Sequence, residues 1–370
     1  MLSKKTIIHN FAENIQTMIT TTPSKRIEYI DALRGFTMIL VVLHHITQPS
    51  QTLLNDLFIS FRMPLFFFVS GYITYKVNEN ISLGTLKNNV ITKIKVQLIP
   101  TIIFGILYTY TLKDSDFISF IVDPFKFGYW FTLVLLEIFI IYYIFQFIAN
   151  KLQINRLRNV ILYIISFLLM IPNAINALFE SKSICMILYG LCLPHLFMYM
   201  QFFVLGVIVR QYQNKIYNFL DNKYIITYIF IFFIITFYIT QTTPKTIGLY
   251  DKIIDMIKIC QRYLGLMIVF TTFKKNKANF ASTTKLGHIL QYIGRHTLDI
   301  YLLHFFFLPK LSPFRDYIFS GYNIVFELFF GFGVSLMVIA ICLVVSKILR
   351  TSDLLAHYLF GANIQKDTKQ

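Results

Sequence analysis

The sequence predicts an all-α fold, a polytopic membrane helix bundle of about ten transmembrane helices with both termini in the cytoplasm. Of the 370 residues, 56% are hydrophobic and only 14% are charged, whereas about a quarter of the residues in soluble domains are charged. Apolar runs close to the roughly 20 residues that a helix needs to cross a bilayer follow one another along the chain. Basic residues collect in alternate connections between these runs, as is typical of multi-pass membrane proteins.

The ten predicted spans follow in order, each justified by its own apolar run. They are 29–48, 57–75, 96–112, 128–149, 159–179, 194–209, 224–241, 253–273, 289–309 and 324–346. The stretch Ser183–Leu193 is apolar but short, so it either re-enters the membrane or lengthens the sixth span. Residues 1–28 lack the compact apolar core of a signal peptide, which predicts a cytoplasmic tail. The predicted domains are this tail, a transmembrane domain over 29–350 that must hold any catalytic site, and a cytoplasmic tail over 351–370.

The distribution of Lys and Arg predicts the orientation of the chain. With the N-terminus inside, 22 of the 34 basic residues fall in cytoplasmic connections or tails, and seven fall on the outer side. This bias follows the positive-inside rule and supports an even number of spans. Five basic residues remain within spans or at their edges, where charges are costly and indicate function. They are Arg34, Arg62, Lys258, Arg262 and Arg295. Arg295 precedes Asp299 by four positions, so we expect these two to pair.

The remaining composition narrows the classes of partner and cofactor. The formal net charge of +16 at pH 7 would favour nucleic acid in a soluble chain, but here it marks cytoplasmic connections, so we expect no nucleic-acid partner. The cysteines lie in apolar runs without a CxxC pair, which favours packing over disulfides or metal ligands. They are Cys185, Cys192, Cys260 and Cys342. No zinc spacing, phosphate-binding glycine loop or GxSxG elbow occurs, so we expect no metal and no permanently bound cofactor.

The first predicted span has a polar face. Arg34 and His45 are eleven positions apart, which places them within about 20° of each other around a helix and about 16 Å apart along its axis. Asp31 shares this face, whereas His44 is turned away from His45 by about 100°. The arrangement suits an elongated ligand with an anionic part near Arg34 and a reactive end near His45. The alternative is that Arg34 anchors the helix at the membrane surface and His45 is a hydrogen-bonded helix-end residue.

Several motifs resemble the acyltransferase 3 family of integral membrane acyltransferases. The segment DALRGFTMILVVLHH contains the basic residue, ten residues and histidine of the family's first span, here Arg34 and His45. FRMPLFFFVSGY resembles the second span of the branch related to fucose 4-O-acetylases, with Arg62 in place of a common histidine. KIKVQLIP resembles the basic run before the third span, with Lys93 and Lys95 where many members have two arginines. GYWFTLVLLEIF, FFVLGVIV and YIGRHTLDIYLLH are also similar, so the resemblance extends over most of the chain.

The resemblance implies a multi-pass O-acyltransferase of a bacterial plasma or inner membrane. Such enzymes move an acyl group, usually acetyl from acetyl-CoA, to a hydroxyl of a cell-surface carbohydrate or its lipid-linked precursor. The implied partners are acyl-CoA as donor, the glycan acceptor and membrane lipid. His45 would be the catalytic base or nucleophile, because imidazole can do either near neutral pH. Arg34, Lys93 and Lys95 would bind the anionic end of CoA, and Asp31 would orient Arg34 or merely suit the helix start.

Five other polar residues are assigned to substrate binding: Arg62, Glu137, Lys258, Arg262 and His304. Arg62 either contacts the acceptor, stabilises developing negative charge or anchors the helix. Glu137 is costly within a span if unpaired, and either Lys258 or Arg262 can neutralise it. His304 is either a substrate contact or a core histidine whose hydrogen bonds are satisfied.

A second function, from a different class, stays open. Intramembrane charges would also line the path of a multi-pass transporter or flippase for a sugar-containing or anionic substrate. Transporters often contain internal repeats or paired broken helices, and the sequence shows neither convincingly.

Overall fold

The computed structural model describes residues 26–48, 52–76, 81–154, 157–170, 188–243, 249–311, 314, 318–319 and 323–362. Every regular element within these residues is helical, and seven of their helices are long and apolar enough to cross a membrane. The predicted all-α polytopic membrane fold is therefore confirmed. Four predicted segments lie outside the described residues: 1–25 and 363–370 of the two tails, 171–179 of the fifth span and the beginning of Ser183–Leu193.

The helices of the described residues are numbered in chain order. They are α1 (Glu28–Thr47), α2 (Leu53–Thr74), α3 (Leu83–Leu112), α4 (Phe117–Val122), α5 (Trp130–Lys151), α6 (Arg158–Leu169), α7 (Leu193–Gln211), α8 (Gln213–Asp221), α9 (Lys223–Thr242), α10 (Leu249–Lys275), α11 (Lys285–Arg295), α12 (Thr297–Phe307), α13 (Ile324–Leu349) and α14 (Asp353–Phe360). The seven that meet both criteria for a membrane span are α1, α2, α3, α5, α7, α9 and α13.

The third predicted span is longer than its apolar residues indicate. It was expected to begin at residue 96, but α3 begins at Leu83, where the Ser82 side chain accepts a hydrogen bond from a backbone N–H of the first turn. Such a cap satisfies a donor that has no partner within the helix. A π-helical turn at Ile94–Leu98 comes directly before Pro100. Because proline lacks the N–H and its ring crowds the preceding turn, the regular hydrogen-bond pattern is interrupted there.

The ninth predicted span is divided into two helices. His296 separates α11 from α12, with backbone angles φ −107° and ψ 20° that leave the helical range. The expected ion pair between Arg295 and Asp299 is wrong, because this break removes their helical spacing. Asp299 instead pairs with Arg350, whose Nη2 lies 2.7 Å from Asp299 Oδ1.

Two pairs of helices approach so closely that only glycine fits at the contact. Where α2 crosses α7, a Cβ atom on Gly71 would lie 1.9 Å from the carbonyl oxygen of Phe203. Where α1 crosses α11, a Cβ atom on Gly294 would lie 1.9 Å from the carbonyl oxygen of Asp31. Small residues let helix backbones meet in this way and are common in membrane bundles. The second crossing packs the start of α1 against α11.

Polar contacts show which helix ends lie together. Arg34, in the first half of α1, donates a hydrogen bond of 2.9 Å to Thr297 Oγ1 at the start of α12. Asp299 lies two residues farther on and pairs with Arg350, directly after α13. The start of α1 and the end of α13 therefore share one end of the bundle, here called the inner end, which the basic residues predict to be cytoplasmic. The opposite end is called the outer end.

A buried lysine organises the outer connection between α4 and α5. Lys126 Nζ donates hydrogen bonds of 2.5 to 3.4 Å to three backbone carbonyl oxygens, those of Ile121, Asp123 and Tyr189. Burial lowers the pKa of Lys126, and these carbonyls compensate part of the cost of burying it. The chain then turns through Gly128, whose φ of +111° favours glycine. A Cβ atom on Gly128 would lie 2.1 Å from the Phe305 ring, so this connection packs tightly against α12.

The crossing of α2 and α7 can be tested by substitution. Gly71→Ala is expected to lower the unfolding temperature of the purified protein, because the new Cβ forces two backbones apart, at a cost of about 1–3 kcal/mol. Gly333→Ala is the matched control, since a Cβ on Gly333 would meet no described atom within 4 Å. The unfolding temperature of each variant is measured by heating samples and monitoring the remaining folded protein by size-exclusion chromatography. Equal unfolding temperatures would contradict the close crossing.

Candidate active site

A cavity of about 1790 Å³ runs between the helices and brings together many of the predicted site residues. Arg34 lines it near the inner end, and His45 lines it about three helical turns farther along α1. Of the other predicted site residues, those that also line it are Arg62, Lys258 and Arg262. Those that are not part of its wall are Asp31, Lys93, Lys95, Glu137 and His304. The two ends of the Arg-x10-His motif thus face a common cavity.

The imidazole of His45 faces this cavity and has no hydrogen-bond partner among the described residues. Its ring is half-buried and packs against the rings of Phe305 and His304, with centroid distances of 4.8 and 5.2 Å. Neither ring nitrogen hydrogen-bonds to any residue that the structure describes. A nitrogen lone pair is therefore available at the cavity for proton transfer or for nucleophilic attack.

His44 differs from its neighbour because both of its nitrogens are engaged. Nδ1 lies 2.8 Å from Oδ1 of the buried Asn55, and since this amide oxygen can only accept, Nδ1 carries the proton. Nε2 then accepts a hydrogen bond of 2.7 Å from Gln48 Nε2. His44 thereby joins the end of α1 to the start of α2. Hydrogen bonding thus distinguishes a structural His44 from an available His45.

His304 lies behind His45 and is completely buried. Its Nδ1 lies 2.8 Å from the carbonyl oxygen of Tyr301 and 3.1 Å from that of Ile300, so Nδ1 must donate. Nε2 is buried and has no hydrogen-bond partner among the described residues. His304 therefore uses Nδ1 within its own helix and is in ring contact with His45 rather than in the cavity wall.

Three guanidinium groups line the inner end of the cavity. Arg34 bonds to Thr297 and lies 3.9 Å from the Asp31 carboxylate. Arg350 forms a bidentate pair with the buried Asp299, with N–O distances of 2.7 and 3.0 Å. Arg295 is exposed and donates only its Nε–H, to a backbone carbonyl 3.2 Å away, among the described contacts. The inner end thus has three guanidinium groups and two carboxylates, and this excess of positive charge favours an anionic ligand.

The two lysines predicted to bind CoA are not part of the cavity wall. Lys93 Nζ sits over the Phe139 ring, 3.7 Å from its centroid, which is a cation–π contact with α5. Lys95 is exposed within the π-helical turn of α3. The inner end is lined by Arg295, whose spacing predicts an ion pair with Asp299, and by Arg350, at the boundary of the predicted transmembrane domain. The helix break at His296 leaves Arg295 unpaired with Asp299 and lets Arg350 take its place. This break has no clear signal in the sequence.

Arg62 is a buried cation in the cavity wall. The residue is 7% exposed, and its Nε and Nη1 atoms are buried without a hydrogen-bond partner among the described residues. An unpaired buried guanidinium is costly and points to a negatively charged group that is bound or formed during the reaction.

The remaining predicted residues do not form the expected ion pairs. Lys258 Nζ pairs with Asp255 Oδ1 at 3.0 Å, and Arg262 Nη1 lies 2.8 Å from the Met198 sulfur. The described residues contain no ion pair between Glu137 and either of these cations. Oε2 of Glu137 is buried without a hydrogen-bond partner in the same part of the chain. Within the described residues no group of three His, Cys, Asp or Glu side chains is placed to hold a metal ion.

Comparisons with known proteins give one family match and several relatives. The family model described as an acyltransferase domain, acyltransferase 3, matches residues 27–347. The chain is also similar to proteins named probable poly-beta-1,6-N-acetyl-D-glucosamine export protein from Staphylococcus aureus strains MW2 and N315. Each is 24% identical over 305 residues, covering 78% of this chain and 79% of the relative. No solved structure gives a significant match.

The different roles of the two neighbouring histidines can be separated by their effects on stability. His44→Ala is expected to lower the unfolding temperature more than His45→Ala, because it removes the closest donor to the buried Asn55 oxygen. The Asn55 oxygen then keeps only the 3.4 Å hydrogen bond from Thr47 Oγ1, and the loss of one hydrogen bond costs about 0.5–1.5 kcal/mol. Thermal unfolding of both variants measures the difference. If His45→Ala were the less stable variant, His45 would have a structural role that its contacts do not show.

Proposed function

The chain belongs to the acyltransferase 3 family, and from this premise we propose that it is an O-acyltransferase that uses acyl-CoA. The acyl group, acetyl in the first instance, goes to a hydroxyl of a cell-surface carbohydrate or its lipid-linked precursor. The names of the relatives support a polysaccharide built from β-1,6-linked N-acetylglucosamine as the acceptor class. The observation that carries the proposal is the free imidazole of His45 in a cavity that continues to the guanidiniums of the inner end.

His45 performs the proton transfer or the acyl transfer itself. In the direct route, His45 takes the proton of the acceptor hydroxyl as its oxygen attacks the thioester carbonyl carbon. The carbon–sulfur bond then breaks, and the CoA thiolate takes that proton from the imidazolium. In the two-step route, the imidazole nitrogen attacks the thioester carbonyl carbon, the carbon–sulfur bond breaks and CoA leaves as the thiolate. The acceptor oxygen then attacks the acyl-imidazole, the carbon–nitrogen bond breaks, and the hydroxyl proton goes to the thiolate. Both routes require a nitrogen without a protein partner, as His45 has.

Arg62 is suited to stabilise the charge that develops in either route. Attack on the thioester places a negative charge on the carbonyl oxygen. A guanidinium that is buried and already unpaired loses no existing contact when it donates to that oxygen, and the exclusion of water strengthens the interaction. This role accounts for the presence of an otherwise costly buried cation.

The inner arginines are suited to the anionic end of CoA. Arg34 and Arg295 present guanidinium groups to the cavity, and phosphates favour such planar donors. The axial distance of about 16 Å between Arg34 and His45 on one helix face gives room for an extended arm with its thioester at the far end. Asp31, at 3.9 Å from Arg34, helps to hold that guanidinium in place.

Export is a second candidate function, favoured by the names of the relatives. A cavity that carries charged and aromatic residues can also accommodate a moving saccharide. Mass analysis of the surface polysaccharide in cells with and without the gene separates the two functions. Loss of the acyl substituent from polymer that still reaches the surface supports the transferase, whereas polymer retained inside the cell supports the exporter.

Loss of the His45 imidazole is expected to abolish catalysis without preventing membrane insertion. His45→Ala should reduce the rate of acyl transfer from radiolabelled acetyl-CoA to a β-1,6-linked N-acetylglucosamine oligosaccharide by at least about 100-fold, the usual contribution of a positioned base. His288→Ala, which removes an exposed histidine on α11, is the matched control. Normal turnover by the His45 variant would rule out the mechanism.

Loss of the Arg34 guanidinium is expected to weaken mainly the binding of acetyl-CoA. Arg34→Ala should raise the KM for acetyl-CoA about tenfold, because a charge-assisted contact with phosphate is lost. Lys95→Ala provides the comparison, since Lys95 is exposed outside the cavity wall. Initial rates at varied acetyl-CoA concentration measure both variants. An unchanged KM for Arg34→Ala, or a larger change for Lys95→Ala, would contradict the assignment of the inner arginines.

A further inference from the structure

The outer part of the cavity wall contains a row of aromatic rings. The ring of Trp130, the only tryptophan in the sequence, lies 4.5 Å from that of His195 and 5.4 Å from that of Tyr199, measured between centroids. Phe125 packs edge-on against His195 at 4.9 Å. All four residues line the cavity. They are here called the Trp130 wall.

The Trp130 wall lies close to the reactive imidazole. Phe305 contacts the His45 ring at 4.8 Å between centroids. The tip of the Phe305 ring is packed against Gly128, two residues before Trp130. A single layer of side chains thus separates His45 from the segment that carries Trp130. A ligand held at the wall can reach His45 through the cavity they share.

His195 has hydrogen-bonding capacity that the protein does not use. Nδ1 is buried without a hydrogen-bond partner, and Nε2 has no partner among the described residues either. His195 lies in the first turn of α7, next to Pro194, so its backbone is fixed by the helix start. Buried polar groups without partners are uncommon and call for an explanation. A bound ligand that hydrogen-bonds to the imidazole supplies one.

We propose that the Trp130 wall is the subsite for the acceptor sugar. The C–H face of a pyranose ring packs on the aromatic surface, while a hydroxyl or acetamido group of the same sugar hydrogen-bonds to His195. Ligand sites commonly combine an aromatic lining with a few polar groups that fix orientation in this way. The assignment rests on the proposed function, in which His45 acylates a sugar hydroxyl, and it names the residues that select the acceptor.

The chain's single tryptophan makes this subsite directly measurable. A β-1,6-linked N-acetylglucosamine pentasaccharide is titrated into the full-length protein in lipid nanodiscs, without acyl donor, while tryptophan emission is recorded. We expect a saturable change in emission. His195→Ala should weaken binding about fivefold to tenfold through loss of one hydrogen bond. His195→Gln keeps a polar group near the Nε2 position, so its dissociation constant should stay within about threefold of the wild-type value.

One control variant and two possible outcomes test the subsite. His288→Ala, on the exposed face of α11, should bind the pentasaccharide as the wild-type protein does. The proposal is overturned if the emission does not change saturably, or if His195→Ala binds with wild-type affinity. Because the titration contains no acyl donor, it is independent of catalysis. Acyl transfer without binding at the wall would refute only the subsite, and saturable binding without acyl transfer would refute the proposed reaction.

Discussion

A charged side chain within a membrane must face a partner or a polar cavity, because hydrocarbon offers it no compensation. This constraint applies to every charged side chain within the membrane-spanning helices. Arg34 meets Asp31 and Thr297, whereas Arg62 has two guanidinium nitrogens buried without a partner among the described residues. The uncompensated charge and the free imidazole of His45 border the same cavity. At Arg62 and His45, a bound substrate would satisfy polar groups that protein contacts leave unsatisfied.

The positions of these groups depend on close backbone contacts. Gly294 allows α11 to lie against α1 at Asp31, and this contact brings Arg34 within hydrogen-bonding distance of α12. At the outer end, His44 joins α1 to Asn55 of α2, which fixes the end of the helix on which His45 lies. Rigid helices thus hold the two ends of the Arg-x10-His motif, as a reaction that depends on exact distances requires.

The sequence was sufficient for the fold class and for placing Arg34 and His45 along one side of α1, because helical periodicity and the Arg-x10-His spacing are local properties. It could not supply the contacts between distant segments. The break at His296 exchanges the expected partner of Asp299 for Arg350, 51 positions away, and Lys93 packs on Phe139 instead of facing the cavity. His195 was missed because its importance comes from its place beside Trp130, which only the packing of α5 and α7 creates.

In the proposed reaction, a single cavity joins a donor bound at the inner end to an acceptor at the outer end, with His45 between them. Proteoliposomes of uniform orientation test it directly. Acetyl-CoA labelled in the acetyl group is supplied only on the inner-end side, and the β-1,6-linked N-acetylglucosamine oligosaccharide only on the outer-end side. We expect the label on the oligosaccharide, which stays on its own side of the membrane. Labelling that occurs only when both substrates are on the same side would contradict it.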